Sequence, residues 1–464
     1  MLQSMYTGDS VDTEVNGVTT RSIFLKRGLR QGCSLSPMLF NLYISNMGHD
    51  LMVATEGFPL YSGVIVSSLL FADDLFLVAR TSLGLQKLLR LVQSHALDLK
   101  LDISVVKSQV ISPAAGESWD ILLADGSIAS LKQVLQYKYL GIETFSTIYK
   151  THSAKQKKCV ETAKKYMYGC LHLARSSADP VRLAVTTWER VAIPAIMYGC
   201  ESVIFTEAKL LDLEKVQSQV AKWILGVPRS TANVCAQTEL GFKPFKLRLY
   251  LQQLGFYFRA LSLSSDRWVS LALKCHLDDS WSSPYAEYIC KLRRGLSLYD
   301  PSPSRSYLHR HLNLWFLNNV NEQIVSKSLP CIEPLTCFRK ERYVYSHKHM
   351  STIASFRVAN SGLGNKMPIQ GLPRLPFCPE CCFPFPNDEV HVIVQCTSMA
   401  GIREMLGLSS FFNECKGYSS DKMYILYVNG LDEYGNWVSS EEYEERGLKL
   451  SKMRSAWVSL IQDS

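Results

Sequence analysis

The chain has little of what marks several large protein classes. Its longest apolar stretch, Leu60 to Ala72, is too short for a bilayer and runs straight into two aspartates, which argues against a membrane span of about 20 apolar residues. Met1 to Ser10 lacks a basic segment followed by an apolar core, so no secretory leader is read there. No internal repeat is found, and no lysine-arginine run marks a nuclear address. Charged residues make up only 20% against 47% hydrophobic, a balance that excludes disorder as the default. Cysteines are many, 14, yet ten are scattered singly, as reduced buried thiols are, which argues against a disulfide framework. The expectation is a soluble intracellular protein without membrane contact, with nucleus and cytoplasm undistinguished and the oligomeric state open.

What the chain does have is length. At 464 residues it exceeds one hydrophobic core and predicts two or three domains. The net charge of +8 is compatible with a polyanionic partner, although many proteins that bind none share it.

The alternation of Val11 to Gly28 breaks at Asn16-Gly17, a hairpin signal. Ser36 before Pro37 predicts a helix N-cap, with Phe40, Tyr43, Ile44, Met47 and Leu51 on one buried face. Val64 to Phe71 and Leu75 to Ala79 read as two strands, followed by a helix with Leu85, Leu88, Leu89, Val92 and Ala96 on one side. Further strands are predicted near 101–111 and 131–142, and from about Lys150 long helices take over, broken at Pro180, Pro194 and Pro228. The stretch 301–306, "PSPSRS", reads as a linker.

Asp73 and Asp74 stand side by side at the junction of the two strands. Adjacent carboxylates repel, and a divalent cation would neutralise them; for an isolated pair, plain turn residues are the commoner explanation. The surroundings alter that weighing. "GLRQGCSLSP" (Gly28 to Pro37), "FADD" (Phe71 to Asp74), Lys107-Ser108 and "YLGI" (Tyr139 to Ile142) follow in that order. This series resembles the palm of the reverse transcriptases of non-LTR (LINE-type) retrotransposons.

The resemblance implies Asp73 as a ligand of catalytic Mg2+ with Asp74 in support, two ions about 4 Å apart activating a primer hydroxyl and stabilising the leaving pyrophosphate. It implies that Gln31 and Gly32 position template and nucleotide, that Lys107 lies near the triphosphate, and that Tyr139, Leu140 and Gly141 grip the primer end. Taken singly, Gly32 reads as a loop glycine, Lys107 as an exposed strand-end lysine and Tyr139 to Gly141 as a buried strand ending in a turn. The family also has an aspartate strand upstream of the glutamine-glycine motif. Asp9, Asp12 and Glu14 are the only acids before Gln31, and they lie too near it to fit. The expectation is that Met1 falls after that strand and that this chain alone has no reverse transcriptase activity.

Val191 to Val234, with its "YGC" and "ILGVP" segments, resembles the thumb of the same family. Lys155, Lys157, Lys158, Lys164 and Lys165 beside Tyr166 and Tyr168 could track a phosphate backbone, with a solvated helix face as the alternative. "RKERYVYSHKH" (Arg339 to His349) invites the same two readings. Cys378-x2-Cys381, nine residues to His391, then four to Cys396 suits a closed tetrahedral Zn2+ site. Cys382 ranks below Cys381 because only Cys381 gives the two-residue spacer. A chance cluster of buried cysteines is the rival reading, while LINE-type proteins commonly carry such a motif after the polymerase.

The sequence therefore predicts an α+β fold: a partial palm at 1–148, a helical thumb at 149–262, a basic connecting region at 263–370, a zinc-knuckle-like module at 371–400 and a tail at 401–464. The function implied is RNA-directed DNA synthesis, with an RNA template and a DNA primer or target as partners; the alternative is a non-catalytic nucleic-acid-binding remnant of a retrotransposon.

Overall fold

In a computed structural model the chain divides into two compact units, Met1–Ser146 and Thr147–Ser464. The structure describes residues 10–19, 21–24, 28–30, 32–60, 63–112, 118–123, 126–175, 180–264, 267–277, 283–326, 390–415, 417–429 and 438–463, together with the isolated positions 8, 354, 356, 381, 433 and 434. Gln31, Asp9, Cys378, Cys382 and the run 339–349 lie outside the described residues.

Among its described residues the first unit mixes short strands with three helices. β1 (Ser10–Val11) pairs with β4 (Ile23–Phe24), and β2 (Glu14–Val15) with β3 (Val18–Thr19). The second pair is the expected hairpin: Asn16 and Gly17 take φ +51° and +78°, the double left-handed turn that matches strand twist. α1 (Ser36–Tyr43) and α2 (Ser45–Val53) replace the single predicted helix. The break falls at Ile44, with φ −94° and ψ 6°. Ser36 is not the cap either. Leu35 occupies that position, already near helical geometry, because the Ser36 hydroxyl donates instead to the Arg30 carbonyl at 2.7 Å.

After β5 (Phe58–Pro59) and its partner β6 (Ile65–Val66) come β7 (Ser68–Phe71) and β8 (Asp74–Leu77), an antiparallel hairpin. The predicted strand from Val64 is thus interrupted at Ser67, which is buried with its hydroxyl donating to the Leu51 carbonyl. α3 (Ser82–Asp98) starts at Thr81, whose hydroxyl accepts from Gly84 N–H. Ile44, Met47, Leu51, Leu88 and Val92 form the core beneath this hairpin, with Leu75 and Leu77 packed on it. Helical spacing on α2 and α3 and strand alternation on β8 thus converge on one interior.

The strand predicted at 101–111 reduces to β9 (Gln109–Val110). β10 (Asp120–Leu122) pairs with β11 (Ile128–Ser130), β12 (Lys132–Gln133) runs parallel to β9, and β13 (Gln136–Tyr139) forms a hairpin with β14 (Ile142–Phe145).

The second unit is helical throughout its described residues. α4 (Ile148–Arg175), α5 (Pro180–Thr187), a π-helical turn (Trp188–Ala192), α6 (Ile193–Met197), α7 (Glu207–Leu225) and α8 (Asn233–Glu239) share a core around Trp188, Ile196, Leu213 and Phe245. Pro180 opens a helix rather than breaking one, as a first-turn proline can. Pro194 sits just after the π-turn, where a widened turn relieves the clash of its ring with the preceding carbonyls. α9 (Phe245–Ser262), α10 (Trp268–Leu277), α11 (Pro284–Gly295) and α12 (Arg305–Ser326) form a second core around Leu254, Ile289 and Leu312. The expected linker at 301–306 is an ordered helix start: Pro303 is buried and the Ser304 hydroxyl accepts from Tyr307 N–H at 3.2 Å. No described helix is long and apolar enough to cross a membrane.

Residues read as a tail pack instead. α13 (Ala400–Met405), α14 (Leu408–Glu414), α15 (Ser420–Asn429) and α16 (Ser440–Asp463) bury Leu408, Tyr427, Met453 and Trp457 in one cluster with Val392, Ile393 and Cys396.

Candidate catalytic hairpins and cysteine-histidine cluster

The β7–β8 register pairs Phe71 with Asp74, leaving Ala72 and Asp73 as a two-residue turn. Asp73 is at the tip and Asp74 begins β8, and both are exposed. Alternation along β8 sends Leu75 and Leu77 to the core and leaves Asp74 and Phe76 on the opposite face. On that face the Phe76 ring meets Tyr139 at 5.1 Å between centroids. Burial and then the Asp74 charge push the Tyr139 phenol up, so the carboxylate and the phenol occupy one neighbourhood.

Tyr139 pairs with Ile142 across the turn Leu140-Gly141, whose φ values are +45° and +82°. Tyr137, on the same face of β13, donates its hydroxyl to the Lys107 carbonyl at 3.1 Å. Lys107 lies in a turn closed by Ser108 N–H to the Ser104 carbonyl, 2.9 Å, ahead of β9 rather than at a strand end, with its side chain exposed. The structure thus sets Asp74 near Tyr139 and the Lys107 backbone against Tyr137, with Asp73 at the turn next to Asp74 and Leu140 and Gly141 in the turn after Tyr139. Gly32 is not tied to this group by any contact among the described residues. It precedes α1 with φ +80° and open space where a Cβ would stand, a backbone conformation suited to glycine. Phe76 and Tyr137 are the linking residues that sequence reasoning missed; period-two alternation from Asp74 and from Tyr139 was the signal that could have found them.

These carboxylates offer hard oxygen ligands of the kind Mg2+ takes. Among the described residues no third carboxylate, histidine or cysteine joins them within the reach of one ion.

The other cluster is different in chemistry. Cys381, His391 and Cys396 place their ligand atoms within 4.8 Å of one another, with Cys381 Sγ and His391 Nε2 3.3 Å apart. A π-helical turn, His391–Gln395, sets the last two together, closed by Cys396 N–H to the His391 carbonyl at 2.6 Å. His391 and Cys396 are buried in the C-terminal core. Two ligands of a tetrahedral zinc ion lie about 3.5 Å apart, given bonds of ~2.3 Å to sulfur and ~2.0 Å to nitrogen. The spacing and the soft donors therefore fit zinc.

On α4, Lys157, Lys158, Lys164 and Lys165 are exposed with Tyr168. Lys157 is 4.0 Å from Glu161, Lys155 sits with its Nζ 5.9 Å over the Tyr198 ring, and Tyr166 packs on the core.

Residues 1–144 match the family model for reverse transcriptase (RNA-dependent DNA polymerase), the span that contains both hairpins. The Pol polyprotein of the type-2 retrotransposable element R2DM of Drosophila melanogaster is 29% identical over 154 residues, 32% of this chain and 14% of that protein. The chain carries a reverse transcriptase domain of the non-LTR retrotransposon family. The Pol polyprotein of the type-1 element R2 of Popillia japonica is 26% identical over 236 residues, 47% of this chain and 30% of the relative, a longer match than the first unit, so this likeness to a non-LTR relative runs on into the helices. That of Nasonia vitripennis is 31% identical over 147 residues, covering 30% of this chain and 14% of the relative. The chain thus spans less than a third of the length of each of these relatives.

Proposed function

We propose that this chain acts in RNA-directed DNA synthesis of the non-LTR type, its first unit being the carboxylate-bearing part of a polymerase palm. The observation that carries this reading is the packing of the Asp73-Asp74 hairpin against the Tyr139-Leu140-Gly141 hairpin through Phe76. Asp73 and Asp74 would hold Mg2+, which when bound activates a primer hydroxyl and offsets charge on the departing pyrophosphate. Lys107 supplies a cation toward the triphosphate, and Tyr139 to Gly141 hold the primer end. Gly32, with Gln31, contributes backbone at the template.

The helical unit serves as a thumb. The exposed lysines and Tyr168 of α4 track the backbone of an RNA–DNA duplex, as salt-sensitive contacts to phosphate. Cys381, His391 and Cys396, with Cys378 of the sequence motif as the fourth ligand, would hold Zn2+ as a structural ion.

A second reading has its own support. With two adjacent carboxylates and no third ligand beside them among the described residues, the chain by itself binds nucleic acid without extending it. Primer extension on an RNA template with Mg2+, run beside filter binding at two salt concentrations, tests both. Binding that weakens steeply with salt, and no extension by this chain alone, is expected. Extension that survives Asp73→Asn would overturn the metal assignment, and binding indifferent to salt would overturn the nucleic-acid role.

A further inference from the structure

Two thiols in the helical unit meet outside everything assigned so far. Cys159, in the middle of α4, and Cys200, in the turn after α6, have their Sγ atoms 3.5 Å apart although 41 residues separate them in sequence. Both are buried, at 1% and 0% exposure. Among the described residues no third histidine, cysteine or carboxylate completes a metal set with them. Among those residues the pair stands as a dithiol.

We propose that Cys159 and Cys200 are a modification site, a thiol pair that a small peroxide converts reversibly into a disulfide joining α4 to the α6–α7 turn. A disulfide would shorten the 3.5 Å between the sulfurs to a bond of about 2 Å. Tyr198, two residues before Cys200, is 55% exposed, while Gly199 between them is buried, so a small peroxide reaches the sulfurs through local opening of the α6–α7 turn.

Either sulfur can be the donor in the thiol pair, and the charge of Lys155, one turn before Cys159 on α4, favours the thiolate at both, so either thiol can attack first; the steps are the same with the roles exchanged. The Cys159 thiolate attacks one peroxide oxygen; the O–O bond breaks and hydroxide leaves, taking a proton to become water. The Cys200 sulfur then attacks the Cys159 sulfenic acid; the S–S bond forms, the S–O bond breaks, and water leaves with the Cys200 proton. Two thiols and one peroxide thus give one disulfide and two waters.

The test uses the full chain treated with hydrogen peroxide and mapped as non-reduced peptides. The expected result is a Cys159–Cys200 cross-linked peptide, reversed by dithiothreitol, with a raised unfolding temperature that returns to the reduced value on reduction, since a bridge over a long loop restricts the unfolded chain. Cys200→Ala should lose both the cross-link and the peroxide-dependent rise. Recovery of both cysteines as free thiols at a dose that oxidises the exposed Met38 and Met405 would overturn the proposal. So would a terminally oxidised Cys159 without a bridge. These readouts on the unaltered chain decide the matter even if the variant does not fold.

Discussion

Phe76 and Tyr139 pack ring against ring, 5.1 Å between centroids and tilted by 40°. Phe76 lies two residues after Asp74 on β8, and Tyr139 is the last residue before the Leu140-Gly141 turn. This contact joins the carboxylate hairpin to the hairpin assigned to the primer. Phe76→Ala should destabilise the first unit by about 2 kcal/mol, from lost ring pairing and partial burial, with Phe76→Leu costing less. Denaturant midpoints measure it, and an unchanged midpoint for Phe76→Ala would show that the contact contributes nothing.

The two hairpin turns share a device. Ala72 and Leu140 hold φ +52° and +45°, a left-handed conformation that costs a residue with a side chain about 1 kcal/mol or more. Ala72→Gly and Leu140→Gly are expected to raise stability by up to about 1 kcal/mol each, whereas Gly141→Ala, at φ +82°, lowers it by a similar amount. Thermal unfolding of the three variants gives the signs directly; a destabilising Ala72→Gly would contradict the strain assigned to that turn.

Stability of the helical unit should fall between about pH 4.5 and 7. Burial raises the Glu214 carboxyl from 4.5 to about 7, against backbone N–H groups of Lys246 and Phe245, the Gln237 amide and the Arg248 charge, which pull it down. Glu214 accepts from Lys246 N–H at 3.4 Å, capping the start of α9 from a neighbouring helix. Its folded-state value is above its unfolded one, so the unfolded chain releases the proton first as pH rises. The folded state is therefore favoured fully at low pH and loses this contribution by the time pH passes about 7. Urea midpoints at pH 5 and pH 8 should differ in that sense for this group, and Glu214→Gln should remove the corresponding part of the difference.

Zinc content is the check on the cysteine-histidine cluster. Protein purified from zinc-containing medium should carry zinc, and Cys396→Ser should reduce it to background. Chelation should also lower the unfolding temperature of the C-terminal helices, because His391 and Cys396 are part of their core and a structural zinc contributes directly to folding. Unchanged zinc content in Cys396→Ser would remove that residue from the ligand set.

Much of this was written in local pattern. Asn16-Gly17 dictated its hairpin, because a double left-handed turn needs those residue types. Leu88, Val92 and Ala96 announced the buried side of α3 by helical spacing. The carboxylate turn and the cysteine-histidine spacing were also legible, since adjacent like charges and clustered thiols are unusual enough to stand out in one dimension. Less was legible where a hydroxyl chose a distant partner. Ser36 looked like a cap, yet its bond to Arg30 was cheaper than holding the helix start, and Ser67 cut a strand by bonding Leu51.

By itself the sequence determined which residue types stand at the candidate site and in what order, because turns, alternation and helical spacing are set by neighbours a few residues away. Only the tertiary structure decided that Tyr139 lies against Phe76, that Tyr137 tethers Lys107, that residues after 400 are a packed module around His391 and Cys396, and that Cys159 meets Cys200. Those contacts join residues 10 to 63 positions apart, and such pairings are settled by how whole faces fit together in a close-packed interior, which local pattern does not encode.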